Sequence, residues 1–435
     1  MRSSSSAVDR HLRRRHAQAI VERALRESRV VIVNGPRQAG KTTLSRLVSH
    51  GGHWVSLDSQ AVLDACVADP AGFLEAYPKP LFIDEFQRAG DALVRAIKLE
   101  VDSDSSRGQY LLTGSSRFLT VRTISESLAG RAQMVDLWPY AQGEADELGP
   151  DADTLLYRLF DERARIVTQR AGPAMDRSEY FERVCRGGYP EANELEGQAR
   201  RRWFQSYLRT IVGRDVPEIA RGRHLGELPK LIRVLAARTG QELVVENVAR
   251  ETGIERTLLT RNYLPLLETV YLTVSLPAWS RNFTSRAIKH PKSYVADSGL
   301  AAHLLGVDAA ALSSPSCAAR GALIETFVVG ELVRQASRQL DPPVTLHHYR
   351  TRDRAEVDVI AEAADGRIVA IEVKSGRTAD RGAFRALANL RERVDRAGGR
   401  FVRGVVLYLG DGALPAGDRL AALPLSHLWA PPSRS

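Results

Sequence analysis

No apolar run in the sequence approaches the roughly 18–20 residues that cross a bilayer, so no membrane partner is expected. Cysteine is scarce: Cys66, Cys185 and Cys317 are far apart and odd in number, which suggests neither a disulfide framework nor a zinc site. The opening Met1-Arg2-Ser3-Ser4-Ser5-Ser6 leads into no apolar segment, so it reads as a short disordered tail and not as a secretory signal. Internal repeats and long low-complexity stretches are also missing. These absences together make a cytoplasmic protein the expectation. The 435 residues are too many for one ordinary domain. Hydrophobic residues at 44% and charged residues at 26% supply ample core for globular folding. The net charge of +9 permits contact with nucleic acid without requiring it.

The first third alternates between two periodicities. Residues 10–29 read as a helix, with Ile20, Val21 and Leu25 apolar among arginines. Val30-Val31-Ile32-Val33 then forms a short β-branched run ending in Asn34-Gly35, the pattern of a strand buried on both faces. A helix resumes at Thr42, with Leu44, Leu47 and Val48 on one side. Further strand signals are His53–Asp58, Leu81–Asp84, Tyr110–Gly114 and Met134–Leu137, separated by helical segments. Such alternation predicts an α/β domain with a mostly parallel sheet.

Gly35-Pro36-Arg37-Gln38-Ala39-Gly40-Lys41-Thr42 fits GxxxxGK[ST] at every fixed position, between a predicted strand and a predicted helix. This is the loop that binds ATP phosphates. Its glycines let backbone N–H groups turn inward, and the following helix directs its positive end at the same anion. Lys41 then serves the β and γ phosphates, the Thr42 hydroxyl ligates Mg²⁺, and Thr43 adjoins them. Leu81-Phe82-Ile83 runs into Asp84 and Glu85. At the end of a strand beside the loop, Asp84 can hold Mg²⁺ and Glu85 can polarise a water; a plain acidic loop is the alternative. Thr113 and Ser115, at the end of the next strand, are candidates for touching the γ-phosphate or a water, against a simple hydroxyl-rich turn. Arg131 is a candidate for stabilising transition-state charge, in its own or a neighbouring subunit, against a solvated surface arginine.

GPRQAGKT at Gly35–Thr42, LFIDEFQ at Leu81–Gln87, LTGSS at Leu112–Ser116 and SESLAGR at Ser125–Arg131 resemble a bacterial and archaeal family of AAA-type ATPases. The resemblance implies Asp84 as magnesium ligand, Glu85 as catalytic base and Thr113–Ser115 as a sensor. Gly187-Gly188-Tyr189-Pro190 and Tyr294–Gly306 are similar to that family's C-terminal part, so the resemblance extends over most of the chain. It implies no settled biological role and leaves the oligomeric state open.

The remainder divides into a helical region at 146–225, a winged-helix-like module at 226–293 and an α/β region at 294–435, after a P-loop domain at 1–145. In Val244–Leu267 two helices flank a turn at Thr252-Gly253-Ile254. Val248, Ala249, Ile254, Leu258 and Leu259 supply the packing positions. Arg256, Thr257, Thr260, Arg261 and Asn262 lie on the second helix, where they could face DNA. Arg281, Arg286, Lys289 and Lys292 would form a basic wing. A module packed for structural reasons alone is the other reading.

The last constellation is Glu325, Asp358, Glu372 and Lys374. Glu325 falls in a predicted helix at Leu323–Gln335. Asp358 and Glu372 fall in strands at Ala355–Ala361 and Ile368–Val373, joined through a turn at Asp365-Gly366, and a further strand is Gly404–Leu409. Alternation puts Glu372 and Lys374 on one face. Two carboxylates and a lysine suit a second Mg²⁺ or Mn²⁺ and an activated water. The order resembles the PD-(D/E)XK, restriction-endonuclease-like fold, and the strings EVDVI and IEVKS resemble Holliday-junction resolvases of that fold. The alternative is a retained fold whose carboxylates pair with Lys374, Arg350, Arg352 and Arg354. Two functions follow: an ATPase that gates metal-dependent DNA cleavage, or an ATP-dependent switch or scaffold that binds a protein partner, or DNA, without cutting it.

Overall fold

The computed structural model describes residues 13–49, 51–115, 127–164, 166, 175–217, 226–280, 290–351 and 355–431. The chain divides into two units, Met1–Ala152 and Asp153–Ser435.

In the first unit the β-branched run forms β1 (Val30–Asn34), and every residue in it is buried. It is followed by β2 (His53–Ser56), β3 (Leu81–Asp84), β4 (Tyr110–Gly114) and β5 (Ala132–Asp136). The order across the sheet is β2-β3-β4-β1-β5, and every pairing is parallel. Strand alternation sends Val30 and Ile32 into one apolar layer, with Leu93, Val94 and Ile97. Val31 and Val33 enter the opposite layer, with Ile20, Val21 and Leu44. A sheet covered on both faces exposes only its edges and ends, so its chemistry is confined to the C-terminal ends of the strands.

Two strand boundaries differ from the sequence reading. The expected His53–Asp58 strand stops at Ser56. Leu57 N–H still donates to the Asp84 carbonyl at 3.0 Å, but the chain then turns into the helix Gln60–Ala68. The expected Met134–Leu137 strand spans Ala132–Asp136, because pairing with β1, from Val30↔Ala132 to Asn34↔Asp136, sets its limits and not the apolar residues.

The second unit begins with helices that include Arg177–Arg186 and Gly197–Thr210. The helix Val245–Thr252 ends at Gly253, whose φ of 78° is the left-handed value that glycine adopts freely at a helix end. A helical run through Arg256–Leu258, Leu259–Tyr263 and Leu264–Thr269 follows, with wider π turns in its middle. Val248, Ile254 and Leu259 are buried as expected, but Leu258 is 42% exposed. Adjacent helical residues point about 100° apart, and here the turn that buries Leu259 leaves Leu258 on the outer side. A small antiparallel sheet comprises β6 (Gln241–Glu242), β7 (Thr273–Leu276) and β8 (Lys292–Val295), in the order β6-β8-β7.

The chain closes with a mixed sheet: β9 (Val344–Arg350), β10 (Glu356–Ala363), β11 (Arg367–Lys374), β12 (Arg400–Tyr408), β13 (Leu414–Pro415) and β14 (Leu420–Pro424). Their order is β13-β14-β12-β11-β10-β9. Val359, Ala361, Val369 and Ile371 share an apolar layer with Leu323, Phe327 and Val328 of the helix Arg320–Ala336. Ile368 and Ala370 meet Leu387, Leu390 and Val394 of the helix Arg381–Arg396.

Gly35 carries a tight steric constraint against backbone in the first unit. A Cβ placed there would lie 2.2 Å from the Leu137 carbonyl oxygen, while Leu137 N–H donates to the Asn34 carbonyl at 2.7 Å. Gly35→Ala is therefore expected to lower the stability of this unit by about 1–3 kcal/mol. Denaturant unfolding of the variant checks this, and wild-type stability would contradict it.

Candidate functional site

Register at the end of the parallel sheet assembles the first site. Thr113 on β4 pairs with Asp84 on β3, and Gly114 pairs with Asn34 on β1. The acidic strand is thus one strand removed from the strand that enters the phosphate loop. Asp84 is buried, and both of its oxygens accept hydrogen bonds. Thr42 Oγ1 donates to Oδ2 at 2.8 Å, and the Thr113 hydroxyl donates to Oδ1. The loop wraps the base of the helix Lys41–Val48, with Gly40 at φ 95° as its N-cap. The buried Lys41 ammonium donates to the Gly35 and Pro36 carbonyls at 2.9 and 2.8 Å, so it lies inside the loop. Pro36 and Ala39 are buried, Arg37 half-buried, and Gln38 exposed at φ 62°. Thr43 is exposed.

Glu85 follows Asp84 in the left-handed region, at φ 55°. Such a conformation costs a non-glycine residue energy and aims its side chain away from the strand direction. Burial pushes the Glu85 carboxyl above the usual carboxylate range, and the Lys41 charge and a bond from Gln87 oppose that rise only in part. The Gln87 amide donates to Glu85 and lies 3.4 Å from Ser115 Oγ, so it links the two. Gln87 has no separate role in the sequence reading, although its i+2 spacing from Glu85 marks it.

The N-terminal helix braces the loop from behind. Arg15 donates to the Ala39 carbonyl at 2.7 Å and the Trp138 carbonyl at 2.5 Å, and pairs with Glu144 at 3.2 Å. Glu144 also accepts His16 N–H at 2.6 Å and Ala141 N–H at 3.0 Å. Burial alone would raise its pKa, but Arg15, His16 and these two bonds reverse the sign and hold it low. The contacts of Arg15 and His16 with Trp138 and Glu144 join residues more than a hundred positions apart, and no local pattern signals them.

Arg131 does not join this group. It immediately precedes β5, at the opposite end of the sheet, where its carbonyl accepts Val30 N–H. Its guanidinium pairs with Asp102, NH2 to Oδ2 at 3.0 Å. Ser116, Ser125 and Glu126, within the quoted motifs, lie outside the described residues.

In the second unit Glu325, Asp358, Glu372 and Lys374 converge, together with residues assigned elsewhere or not at all. Lys374 Nζ donates to Glu372 Oε1 at 2.9 Å. Asp358 Oδ2 accepts Val373 N–H at 2.9 Å. The β9–β10 register shifts between Val357 and Ile360, and this irregularity re-aims Asp358. Lys292, expected in a basic wing, is instead buried with its ammonium among acids: 2.9 Å from Glu325, 2.6 Å from Glu356 and 3.2 Å from Asp358. Tyr294 on the same face of β8 donates to Glu325 at 2.7 Å. Alternation along Lys292-Ser293-Tyr294 was the available signal for this inward pair. Arg281, Arg286 and Lys289 lie outside the described residues, as do Arg352 and Arg354. Arg350 pairs with Glu242 at 2.9 Å and not with the cluster.

Among the described residues no group of three or more His, Cys, Asp or Glu side chains is arranged to hold a metal ion. The expected divalent seat on Asp358 and Glu372 does not fit, because the buried Lys292 ammonium stands against Asp358; Lys374 beside Glu372 is as the sequence suggests. Of the exposed face at 256–262, Arg256 pairs with Glu246 at 3.1 Å, Thr257, Thr260 and Arg261 face outward, and Asn262 is half-buried.

Comparison with known proteins places these sites in a family. An AAA domain matches residues 27–145, and two domains of unknown function, DUF8612 and DUF4143, match 177–311 and 320–428. Uncharacterized proteins of Mycobacterium tuberculosis and Mycobacterium bovis are each 30% identical over 425 residues, covering 96% of this chain and 85% of the relative. This chain belongs to their family. It is a family with an AAA-type P-loop domain ahead of a mixed α/β region, and no described helix is long and apolar enough to cross a membrane. Among solved structures, a Walker-type ATPase of Pyrococcus abyssi matches at TM-score 0.42 and 17% identity, covering 67% of this chain and 95% of that one. The Thermotoga maritima RuvB Holliday junction branch migration motor matches at 0.28 and 18%, covering 65% and 92%.

The acidic cluster carries a pH signature. Burial, and then the Asp358 charge, push Glu372 from 4.5 up to about 8. Burial and Asp358 likewise push Glu325 up to about 7, against Lys292. A raised carboxyl pKa means that the folded state holds a proton which the unfolded state releases. Its stabilisation is complete below pH 4.5 and disappears as pH rises through about 8. The stability of this chain is expected to fall across that window, and Glu372→Gln to flatten the slope. Urea unfolding at a series of pH values measures both.

Proposed function

We propose that this AAA-family protein binds ATP with Mg²⁺ and hydrolyses it, using the cycle as a switch for its second unit. One observation carries the reading: the Thr42 and Thr113 hydroxyls both donate to the Asp84 carboxylate at the sheet end where Lys41 enters the phosphate loop. In this reading the backbone N–H groups of the loop Gly35–Thr42, Pro36 excepted, and the Lys41 ammonium bind the phosphates. Thr42 Oγ1 and Asp84 offer adjacent oxygens, the donor type that Mg²⁺ prefers, and would hold the ion beside the terminal phosphates. The ion supplies neutralisation of phosphate charge. Glu85 accepts the proton of the attacking water. Gln87 fixes that carboxylate relative to Ser115, while Thr113 orients Asp84. Arg131 lies beside Asp102 at the opposite end of its own sheet, so in this reading its role is confined to a neighbouring subunit's site.

Two readings of the second unit remain as proposals. The helix–turn–helix at 245–269 and the three-stranded sheet formed by the strands before and after it support a winged-helix module, with Thr257, Thr260 and Arg261 exposed to meet DNA or a protein partner. DNA cleavage draws its support from the convergence of Glu325, Asp358, Glu372 and Lys374. Lys292 favours the alternative, a binding unit that does not cut. The cleavage reading requires that branched or linear DNA be cut in Mg²⁺ or Mn²⁺ and that Glu372→Ala stop the cutting; absence of Glu372-dependent cleavage removes it.

Lys41→Ala is expected to abolish ATP binding in a fluorescence titration. Glu85→Gln should keep binding and lose about 10²–10⁴-fold in turnover. Because burial raises the Glu85 pKa, kcat should fall on the acid side above the normal carboxylate range. Wild-type hydrolysis by both variants would overturn the reading.

A further inference from the structure

The acid cluster of the second unit has the composition of a divalent-cation site and the wiring of something else. Glu325 comes from the helix Arg320–Ala336, Glu356 and Asp358 from β10, and Glu372 from β11. An ammonium has three N–H donors. Lys292 directs them at three separate carboxylates, Glu325 Oε1, Glu356 Oε1 and Asp358 Oδ1, at 2.9, 2.6 and 3.2 Å. All three are thereby used. The lysine side chain is 3% exposed, so water does not replace these contacts.

The remaining oxygens confirm the pattern. Glu325 Oε1 is shared with the Tyr294 hydroxyl. Asp358 Oδ2 accepts a backbone N–H, and Glu372 Oε1 faces Lys374. Glu372 Oε2 is buried with no hydrogen-bond partner among the described residues. Burial alone would favour a neutral Lys292, but Asp358, Glu325 and Glu356 overcome it and hold the group protonated. A divalent ion needs oxygens at about 2.0–2.6 Å from its centre. To reach the same oxygens it would have to sit against the Lys292 ammonium, whose three donors are already directed at them. An ammonium and a metal are therefore alternatives here, not companions.

We infer that Lys292 is the resident cation of this cluster, standing where a nuclease-like site would carry a divalent metal, so that the second unit is metal-free by construction and becomes a divalent-cation site only when the lysine is removed. The inference is independent of ATP hydrolysis by the first unit. It assigns Lys292 a role that no basic wing would require, and it explains a carboxylate arrangement that stays intact without metal-dependent cleavage. Removal of the ammonium leaves Glu325, Asp358 and Glu372 facing one another with their charge uncompensated, which is the donor set that hard cations take.

Mn²⁺ binding by the full chain without nucleotide, followed by electron paramagnetic resonance, tests it. The comparison uses wild type, Glu372→Gln, Lys292→Met and Lys292→Met/Glu372→Gln. Wild type and Glu372→Gln should bind equal amounts of Mn²⁺. Lys292→Met should gain one further equivalent per chain and lose it again in the double variant. Its unfolding temperature should rise with Mn²⁺ while that of wild type does not, by linkage. Lys292→Arg, which keeps the charge, should gain nothing. The inference is overturned if wild type holds an Mn²⁺ that Glu372→Gln removes, or if a folded Lys292→Met gains none. Should Lys292→Met fail to fold, the wild-type and Glu372→Gln pair still decides whether the native cluster holds metal.

Discussion

The Asp84 carboxylate, buried at the end of β3 and held by hydroxyls from two other elements, is the interaction on which the first unit's chemistry depends. A buried carboxylate without partners would be destabilising. Thr113 reaches it because β3 and β4 pair in parallel register, and Thr42 reaches it because the phosphate loop delivers the helix Lys41–Val48 to the same end of the sheet. The strand order places β4 between β3 and β1, so one hydroxyl on β4 and one on the helix converge from different sides. Gly35 and the Arg15–Glu144 pair then hold the loop in position, by a close backbone approach and by buried charge respectively.

Much of this arrangement is legible in the residues. A four-residue β-branched run, a glycine-rich loop with Lys41-Thr42, and an apolar segment ending in Asp84-Glu85 are local patterns with local causes. They mark the parallel sheet and most of the residues that gather at its end. Legibility stops where the chain must be closed over long distances. Arg15 reaches Glu144, and Gln87 reaches Ser115, through pairings that no window of sequence contains. Arg131 shows the converse case. Its motif neighbourhood suggested a role near phosphate, yet its place just before β5 puts it at the far end of the sheet, beside Asp102.

The second unit is less legible for a related reason. Glu325, Asp358, Glu372 and Lys374 were visible as a group, and alternation along β11 aligned the last two. Asp358 is positioned by an irregular register that periodicity cannot report. Lys292 looked like one more basic residue in a basic segment. Its meaning appears only when β8 is laid beside β10 and the helix Arg320–Ala336, where one ammonium meets three carboxylates. The same four residues thus suggest a metal site in one dimension and an internally neutralised core in three. β9, the helix Arg381–Arg396 and the β13–β14 edge, which support this sheet, had no counterpart in the sequence reading.

On the proposed reading the protein holds ion chemistry at one place and avoids it at another, with carboxylates at both. At Asp84 the partners are neutral hydroxyls, which leave the charge available to a cation; at Asp358 the partner is an ammonium, which does not. The affinity for ATP with and without Mg²⁺, measured by calorimetry on wild type and Asp84→Asn, tests the first half of that contrast most directly. Mg²⁺ should tighten ATP binding to wild type, and that enhancement should vanish in Asp84→Asn while binding of metal-free ATP persists. An equal Mg²⁺ enhancement in both proteins would contradict the account.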